Sequence, residues 1–249
     1  MAKTIKVAKQ DRVSVLSLNN GVTNAISPQM VKELSAALEA IQSDSEGLVL
    51  CGGEKFFSIG LDLPALIELD QEAMASFWEE FNQLVLDLYT FPLPAVCAVA
   101  GHAVAGGNIL ALTSDYRFAV SESRKIGLNE ITLGIPVPFL PDMLLKQVVG
   151  ERRAIRMMYS GGFMSLADAE AIGLVDELHP AERLQQAAVE KVVAMAKLEP
   201  EAFAAIKANY TEPIRQRYLQ DAAAQNAAFL NCWFSDQVQV GLREAAKNF

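Results

Sequence analysis

Short apolar segments alternate with longer amphipathic segments through the first half of the chain. The apolar segments are VSVLSL, GLVLCG and PAVCAVAG, and their length and composition predict buried strands. Each is followed by a segment in which apolar residues recur at helical spacing, over residues 28–41, 71–88 and 109–113. At the N-terminus, alternating apolar and polar residues around Asp11–Arg12 predict two strands joined by a turn. This alternation of strands and helices predicts an α/β fold.

Beyond Pro141 only helical spacing remains. Ser165 can cap a short helix that ends before Gly173, and longer helical stretches follow over residues 181–197 and 212–226. We therefore predict that the chain after Pro141 is entirely helical.

The composition allows a large core and excludes some partners. Of the 249 residues, 51% are hydrophobic, which is enough to fill a sizeable core. The change of pattern predicts a soft division near residue 190, between a core with the functional site (residues 1–190) and a helical C-terminal region (residues 191–249). The net charge of -9 argues against nucleic acid or an anionic membrane surface as a partner, because both bind basic faces.

Cysteine usage and the N-terminus favour the cytoplasm. The three cysteines are odd in number and lack CxxC spacing, which argues against a disulfide framework. The N-terminal segment lacks the apolar stretch of a secretion signal. The longest apolar stretch, Ala95–Leu112, contains glycines, His102 and Asn108, and so suits a buried strand, turn and helix better than a membrane span.

Missing residues exclude several kinds of catalytic site. The sequence contains two histidines, His102 and His179, which are too few for a metal site built from several histidines. It contains neither the GxSxG motif of α/β-hydrolases nor a phosphate-binding P-loop. We predict that the protein binds no metal, and we interpret both histidines as packing residues.

Two glycine-containing turns are the most informative features of the sequence. In FFSIGLDL, Gly60 permits a tight turn and Asp62 can cap a following helix, which leaves the backbone N–H near Leu61 free. In VAGHAVAGGNILAL, an apolar strand runs into Gly106–Gly107 and then an apolar helix, so the Gly106 N–H lies at a helix N-terminus. Either turn alone is also explained by close packing. Two free donors that converge would hold an oxyanion, such as a thioester carbonyl that becomes an enolate.

Glu130 is the candidate general base. It lies in RKIGLNEITLGIPVP, close in sequence to Leu128, Ile131 and Leu133. A carboxylate among apolar neighbours is expected to have a raised pKa, which suits proton transfer near neutral pH. Taken alone, this residue is better explained as a helix-capping or surface glutamate. Its combination with the two turns is what predicts catalysis.

The three segments resemble the signatures of a known family. FFSIGLDL, GHAVAGGNILALTSDYR and IGLNEITLGIPVP are similar to those of the crotonase, or enoyl-CoA hydratase/isomerase, superfamily, and GLNE with FSxGLDL is most similar to its 3,2-trans-enoyl-CoA isomerases. The resemblance implies a crotonase-like spiral of ββα units. It implies a helical C-terminal region that drives assembly into a homotrimer or a dimer of trimers. It also implies an acyl-CoA thioester substrate and no cofactor, since coenzyme A is part of the substrate.

The resemblance further implies roles for individual residues. The backbone N–H groups of Leu61 and Gly106 would form the oxyanion hole, and Glu130 would be the base. The implied substrate-binding residues are Ile59, Gly60, Asp62 and Leu63 along the pantetheine and adenine, Ile109 and Asn129 at the acyl group, and Phe234 at the coenzyme A moiety.

Two positions depart from the family pattern. Ile59 stands where alanine is usual, which alters the fit around the ligand without removing an N–H group. Ile109 stands where hydratases carry a second glutamate, one helical turn from Gly106. Without that carboxylate, water activation lacks one of its two partners, while Glu130 alone can still move a proton from C2 to C4.

The sequence therefore predicts an isomerase that shifts the double bond of a 3-enoyl-CoA to position 2, through a dienolate held in the oxyanion hole. Two alternatives stay open. One is an enoyl-CoA hydratase, a 3-hydroxyacyl-CoA dehydratase or another acyl-CoA lyase of the same superfamily. The other is a non-catalytic acyl-CoA-binding or scaffold protein, against which the retained Glu130 argues.

Overall fold

The computed structural model describes residues 3–247, which contain two sheets. The strands are β1 (Ile5–Gln10), β2 (Val13–Leu18), β3 (Gly47–Cys51), β4 (Phe56–Ser58), β5 (Ala95–Val99), β6 (His102–Val104), β7 (Tyr116–Val120), β8 (Lys125–Gly127), β9 (Met164–Ser165) and β10 (Glu177–His179). The larger sheet has the order β1-β2-β3-β5-β7-β10 and is parallel except for the β1–β2 pair. The smaller sheet has the order β4-β6-β8-β9 and is parallel except for the β8–β9 pair.

Helices fill the connections between the strands. They are α1 (Pro28–Asp44), α2 (Leu63–Leu66), α3 (Gln71–Tyr89), α4 (Gly106–Leu112), a 3₁₀-helix (Glu130–Leu133), α5 (Phe139–Val149), α6 (Glu151–Ser160), α7 (Leu166–Ala171), α8 (Ala181–Ala196), α9 (Pro200–Trp233) and α10 (Asp236–Ala246). The side chains of Ser27, Asp70 and Ser165 cap α1, α3 and α7, and so fix where these helices begin. Within residues 3–247, no helix combines the length and the hydropathy that crossing a bilayer requires.

The two sheets arise from a repeated unit. β3, β5 and β7 lie side by side in the larger sheet, and each is followed by a strand of the smaller sheet, β4, β6 or β8. A helical segment then leads to the next unit. This is the spiral of ββα units that the sequence predicts. Its consequence for the site is that the loops after β4, β6 and β8 emerge next to one another, because these strands are parallel neighbours.

Most of the elements predicted from the apolar pattern are confirmed. VSVLSL, GLVLCG and PAVCAVAG form β2, β3 and β5, and Asp11 adopts a positive φ of 55° in the turn between β1 and β2. The helices predicted over residues 28–41 and 71–88 extend to Asp44 and Tyr89. The helix predicted over residues 109–113 begins earlier, at Gly106.

The prediction that only helices follow Pro141 is wrong. β9 and β10 have two and three residues and pair with β8 and β7. Segments of two or three residues are too short to show the alternating apolar and polar pattern of a strand. Their conformation is decided by pairing with a neighbouring strand. The division predicted near residue 190 falls inside α8, which packs on β3, β5 and β7. Residues 197–199 connect α8 to α9.

A buried ion pair attaches α9 to the larger sheet. Lys207 is 7% exposed, and its Nζ donates to Asp115 Oδ2 at 2.8 Å and to the Leu93 carbonyl at 3.0 Å. Asp115 also accepts from the backbone N–H of Ala95 at 2.8 Å. Burial lowers the pKa of Lys207, and the adjacent Asp115 acts in the opposite direction. The pair fixes the start of α9 against the first residue of β5. The rest of α9 extends from this point toward the functional site.

Candidate active site

The turn at Gly60 is held by the segment that precedes α1. Gly60 has a φ of 96°, in the region that favours glycine. Ile26 N–H donates to the Gly60 carbonyl at 2.8 Å, and Asp62 N–H donates to the Ile26 carbonyl at 3.1 Å. The buried Ser58 hydroxyl accepts from Gly60 N–H at 3.1 Å. Between these bonded groups, the Leu61 N–H has no acceptor among the described residues.

The second turn contains a strained alanine. Ala105 has φ 47° and ψ −118°, a conformation that costs a residue with a Cβ of order 1–3 kcal/mol. Its N–H donates to the Gly127 carbonyl at 2.9 Å, which ties the turn to the end of β8. Gly106 is the first residue of α4, so the helix offers its N–H no acceptor. Within residues 3–247 this N–H has no other acceptor either.

The two turns approach each other through their backbones. A Cβ on Gly60 would lie 2.9 Å from the Gly106 nitrogen, and a Cβ on Gly106 would lie 3.1 Å from Gly60 Cα. A Cβ on Gly107 would lie 2.3 Å from the Ser58 carbonyl oxygen. A Cβ would therefore clash with backbone atoms at Gly60 and at Gly107, and a Cβ at Gly106 would be tightly packed. The approach brings the two unpaired N–H groups, of Leu61 and Gly106, into one region, as an oxyanion hole requires.

Glu130 is a buried carboxyl at the start of the 3₁₀-helix. It is 5% exposed, and its Oε2 has no hydrogen-bond partner among the described residues. Burial raises the pKa of Glu130 to about 7. A carboxyl with this pKa is part ionised at neutral pH, so it can both accept and return a proton.

A cavity of about 450 Å³, here called the central cavity, joins these groups. Seven of the residues predicted for the site line it: Ile59, Leu61, Leu63, Gly106, Ile109, Asn129 and Glu130. Two others shape the site without lining the cavity, since Gly60 makes the turn and Asp62 Oδ1 caps α2 by accepting from Ala65 N–H at 3.3 Å. Phe234 packs against the hydrophobic core at the end of α9, and the structure does not bring it to the central cavity.

The sequence analysis missed several residues of the cavity. Ala105 lines it, and nothing in the sequence marks an alanine that takes a positive φ. Trp78 of α3 and Phe229 of α9 also line it. Their helical spacing indicates burial, but it does not distinguish a core position from a position beside a cavity.

The C-terminal helix α10 closes one side of the central cavity. Ala245 lines the cavity, and α10 packs on α2 and on the 3₁₀-helix. Leu242 is fully buried, and a Cβ on Gly134 would lie 2.8 Å from Val238 Cγ2. One helix therefore contacts both the element that follows Leu61 and the element that begins with Glu130.

A basic cluster lies beside Phe56, which lines the central cavity. Lys55 Nζ is 5.7 Å from the centroid of the Phe56 ring, and the His102 ring is 5.4 Å from it. Burial lowers the pKa of His102, and the positive charges of Arg124, Lys125 and Lys55 lower it further. His102 Nδ1 accepts from Lys125 N–H at 2.9 Å, which is the packing role that the sequence predicts. In a chain of net charge -9, this cluster is a local concentration of positive charge.

The spiral fold, the paired amides and the buried carboxyl are the features of a crotonase-type enzyme. The chain belongs to the enoyl-CoA hydratase/isomerase family, whose sequence profile matches residues 8–247. The crystal structure of human mitochondrial delta3-delta2-enoyl-CoA isomerase is similar to this structure with a TM-score of 0.94 and 29% identity, over 98% of this chain and 97% of that one. A probable enoyl-CoA hydratase of Mycobacterium tuberculosis is similar with a TM-score of 0.84 and 26% identity, over 93% and 100%.

Sequence relatives include both isomerases and hydratases. Human mitochondrial enoyl-CoA delta isomerase 1 is 32% identical over 237 residues, which cover 93% of this chain and 78% of that protein. The 2,3-dehydroadipyl-CoA hydratase of Escherichia coli is 34% identical over 206 residues, which cover 81% and 79%. Similarity therefore establishes the family and leaves the reaction to be decided from the site.

The strained turn predicts an unusual effect of glycine. Ala105→Gly should raise the free energy of unfolding by about 1 kcal/mol, because relief of backbone strain exceeds the entropic cost of glycine. By contrast, Ala111→Gly, inside the adjacent helix α4, should lower the free energy of unfolding by about 1 kcal/mol or more. Urea unfolding of the two variants measures both effects. A loss of stability in Ala105→Gly would show that the turn stores no strain.

Proposed function

We propose that the protein is an enoyl-CoA isomerase that converts a 3-enoyl-CoA into a 2-enoyl-CoA. The Leu61 and Gly106 N–H groups donate to the thioester oxygen while Glu130 removes a proton from C2, which gives a dienolate. Glu130 then returns the proton to C4 as the double bond forms between C2 and C3. The reaction needs no cofactor, because the proton and the electron pairs stay with the substrate and the base.

The observation that carries this proposal is the chemistry of the cavity wall. Of the described residues that line the central cavity, Glu130 is the only one with an ionisable side chain. Ile109, where a second carboxylate would stand in a hydratase, lines the cavity from the first turn of α4. One carboxyl can perform both proton transfers of an isomerisation in turn. Hydration additionally requires a water to be held and activated.

A single substitution tests the role of the base. Glu130→Gln should keep the fold and the affinity for acyl-CoA, while turnover falls at least about 100-fold, the usual contribution of general acid-base catalysis. Steady-state kinetics and acyl-CoA titrations measure the two quantities separately. If the variant keeps more than about a tenth of the activity, another residue is the base. Tight binding by the wild type without turnover of any enoyl-CoA would favour the non-catalytic alternative.

The raised pKa of Glu130 predicts a pH dependence of both activity and stability. The value of kcat/KM should rise with pH to a plateau, with a midpoint near the pKa of about 7, because the ionised carboxylate is the base. Since the folded-state pKa lies above the usual glutamate value of 4.5, the folded state keeps its proton to a higher pH, and stability should fall as pH rises from about 4.5 to about 7. Over this pH range, the free energy of unfolding of the wild type should fall relative to that of Glu130→Gln. A difference between the two proteins that does not change with pH would contradict the raised pKa of Glu130.

The hydratase alternative is tested by a ratio of two rates. The wild type should isomerise a 3-enoyl-CoA roughly 100-fold more efficiently than it hydrates the 2-enoyl-CoA of equal chain length, since the second carboxylate is absent. Ile109→Glu should increase hydration relative to Ile109→Gln, which matches its size but lacks the charge. A new carboxylate would also raise the pKa of Glu130, and isomerisation should then fall. A wild-type ratio that favours hydration would overturn the isomerase assignment.

The basic cluster supports coenzyme A as the carrier of the acyl group. The phosphates of coenzyme A need positive charge, and the charges of Lys55, Arg124 and Lys125 lie around His102, beside the cavity residue Phe56. The central cavity itself offers no such charge among its described lining residues. We therefore place the phosphates outside the cavity at this cluster, and the acyl group inside.

We also propose that the C-terminal region assembles the protein into a homotrimer or a dimer of trimers. Three large apolar side chains at the start of this region are strongly exposed: Leu198 at 58%, Ile206 at 70% and Tyr210 at 53%. Side chains of this kind grouped on one segment mark an interaction surface. A neighbouring copy of the chain would remove them from water.

A charge at this surface tests the assembly. Ile206→Lys should dissociate the wild-type oligomer into monomers, because a lysine buried without a partner is costly. Val22→Lys, at an equally exposed valine outside the C-terminal region, should leave the oligomer intact. Multi-angle light scattering at micromolar concentration distinguishes the species. A monomeric wild type would contradict the proposal.

A further inference from the structure

Three aromatic side chains are among the most buried residues that line the central cavity. Trp78 and Phe81 come from α3 and Phe229 from α9, and they are 1%, 0% and 3% exposed. Phe163, which lines the same cavity, is 42% exposed. Phe163 therefore marks an open side of the cavity, and the three aromatic rings, with the equally buried Ile109 and Ile135, form its closed end.

The closed end is built around a stacked pair. The rings of Trp78 and Phe229 lie 3.5 Å apart between centroids and are inclined by 7°. Phe81 packs against Trp78 with its centroid at 5.7 Å, and Trp233 packs against Phe229 at 6.0 Å. Each ring of the pair is therefore supported by a second ring, so neither can turn aside without displacing its neighbour.

A buried polar contact fixes α9 against α3 next to the stack. Asn82, which is 2% exposed, donates through Nδ2 to the Trp78 carbonyl at 2.8 Å and to Asn226 Oδ1 at 3.4 Å. Asn226 lies one turn before Phe229 on α9. The amide thus sets the position of Phe229 over Trp78. Specific contacts between α3 and α9 therefore hold the closed end of the cavity in place.

Building on the proposed function, we propose that the Trp78–Phe229 stack sets the maximum length of the acyl chain and that the chain it limits is an uncharged hydrocarbon. The carbonyl end of the acyl group is fixed at the Leu61 and Gly106 amides, so the distal end must extend toward the closed end. The wall there has no ionisable group, and its one polar side-chain atom, Trp78 Nε1, has no hydrogen-bond partner among the described residues. A chain with a terminal carboxylate would bring a second negative charge into a cavity whose one described ionisable group is Glu130, with no cation to pair with it.

Removal of one ring should lengthen the preferred chain. Phe229→Ala opens space beyond the present end of the cavity, and each methylene that enters it should improve Kd roughly fourfold. A chain two methylenes beyond the wild-type limit should therefore bind roughly 16-fold more tightly to the variant than to the wild type. Phe229→Leu should give a smaller shift in the same direction, and serves if the alanine variant folds poorly.

The experiment is a binding series that does not depend on turnover. Isothermal titration calorimetry on the full chain measures Kd for saturated straight-chain acyl-CoAs from butyryl to palmitoyl, and for an ω-carboxylated acyl-CoA of matched length. The control is Phe91→Ala, because Phe91 is also 3% exposed but does not line the central cavity. We expect a length limit in the wild type, the same limit in Phe91→Ala, a longer limit in both Phe229 variants, and weak binding of the carboxylated chain.

The outcomes separate this inference from the proposed function. If the wild type binds no acyl-CoA, the proposed function itself fails. If it binds them but the limit is unchanged in both Phe229 variants, or shifts equally in Phe91→Ala, the stack does not set the length. If the carboxylated chain binds as tightly as the uncharged one, the assignment of substrate class is overturned.

Discussion

The contact between the backbones of two turns is the constraint on which the rest of the site depends. The turn at Gly60 and the start of α4 at Gly106 approach so closely that a Cβ on Gly60 would lie 2.9 Å from the Gly106 nitrogen. An approach of this kind needs glycine at the turn and a rigid support behind each segment. Two amide groups become available for a ligand because the hydrogen bonds on either side of them are already made within the protein.

The support comes from the parallel strands of the smaller sheet. β4, β6 and β8 lie side by side, so the segments that follow them meet at one edge and supply the first amide, the second amide and Glu130. The Ala105 N–H to Gly127 carbonyl bond ties the second of these segments to the third. Strain at Ala105 persists because the surrounding bonds fix the backbone on both sides. The burial that gives Glu130 its raised pKa has the same origin, since the strands bring it under the helices.

The sequence was sufficient for those features that a local pattern controls. Buried parallel strands are continuous apolar runs, and β2, β3 and β5 were predicted from them. The glycine turns were predicted because glycine has a distinct local use, and Glu130 because its neighbours are apolar. The strands β9 and β10, the conformation of Ala105 and the aromatic wall of the cavity were not predicted, because each depends on residues distant in the chain. The contact of Phe234 with coenzyme A stays a prediction, since it concerns a part of the substrate that we place outside the central cavity.

The position of α10 makes the site depend on a helix that is distant from it in the sequence. The segments that carry Leu61, Gly106 and Glu130 lie much earlier in the chain than this helix, which packs on two of them and completes the wall with Ala245. Without α10 the cavity would be open to water on this side, where an oxyanion would be stabilised less. The chemistry thus depends on a helix that contributes no reacting group.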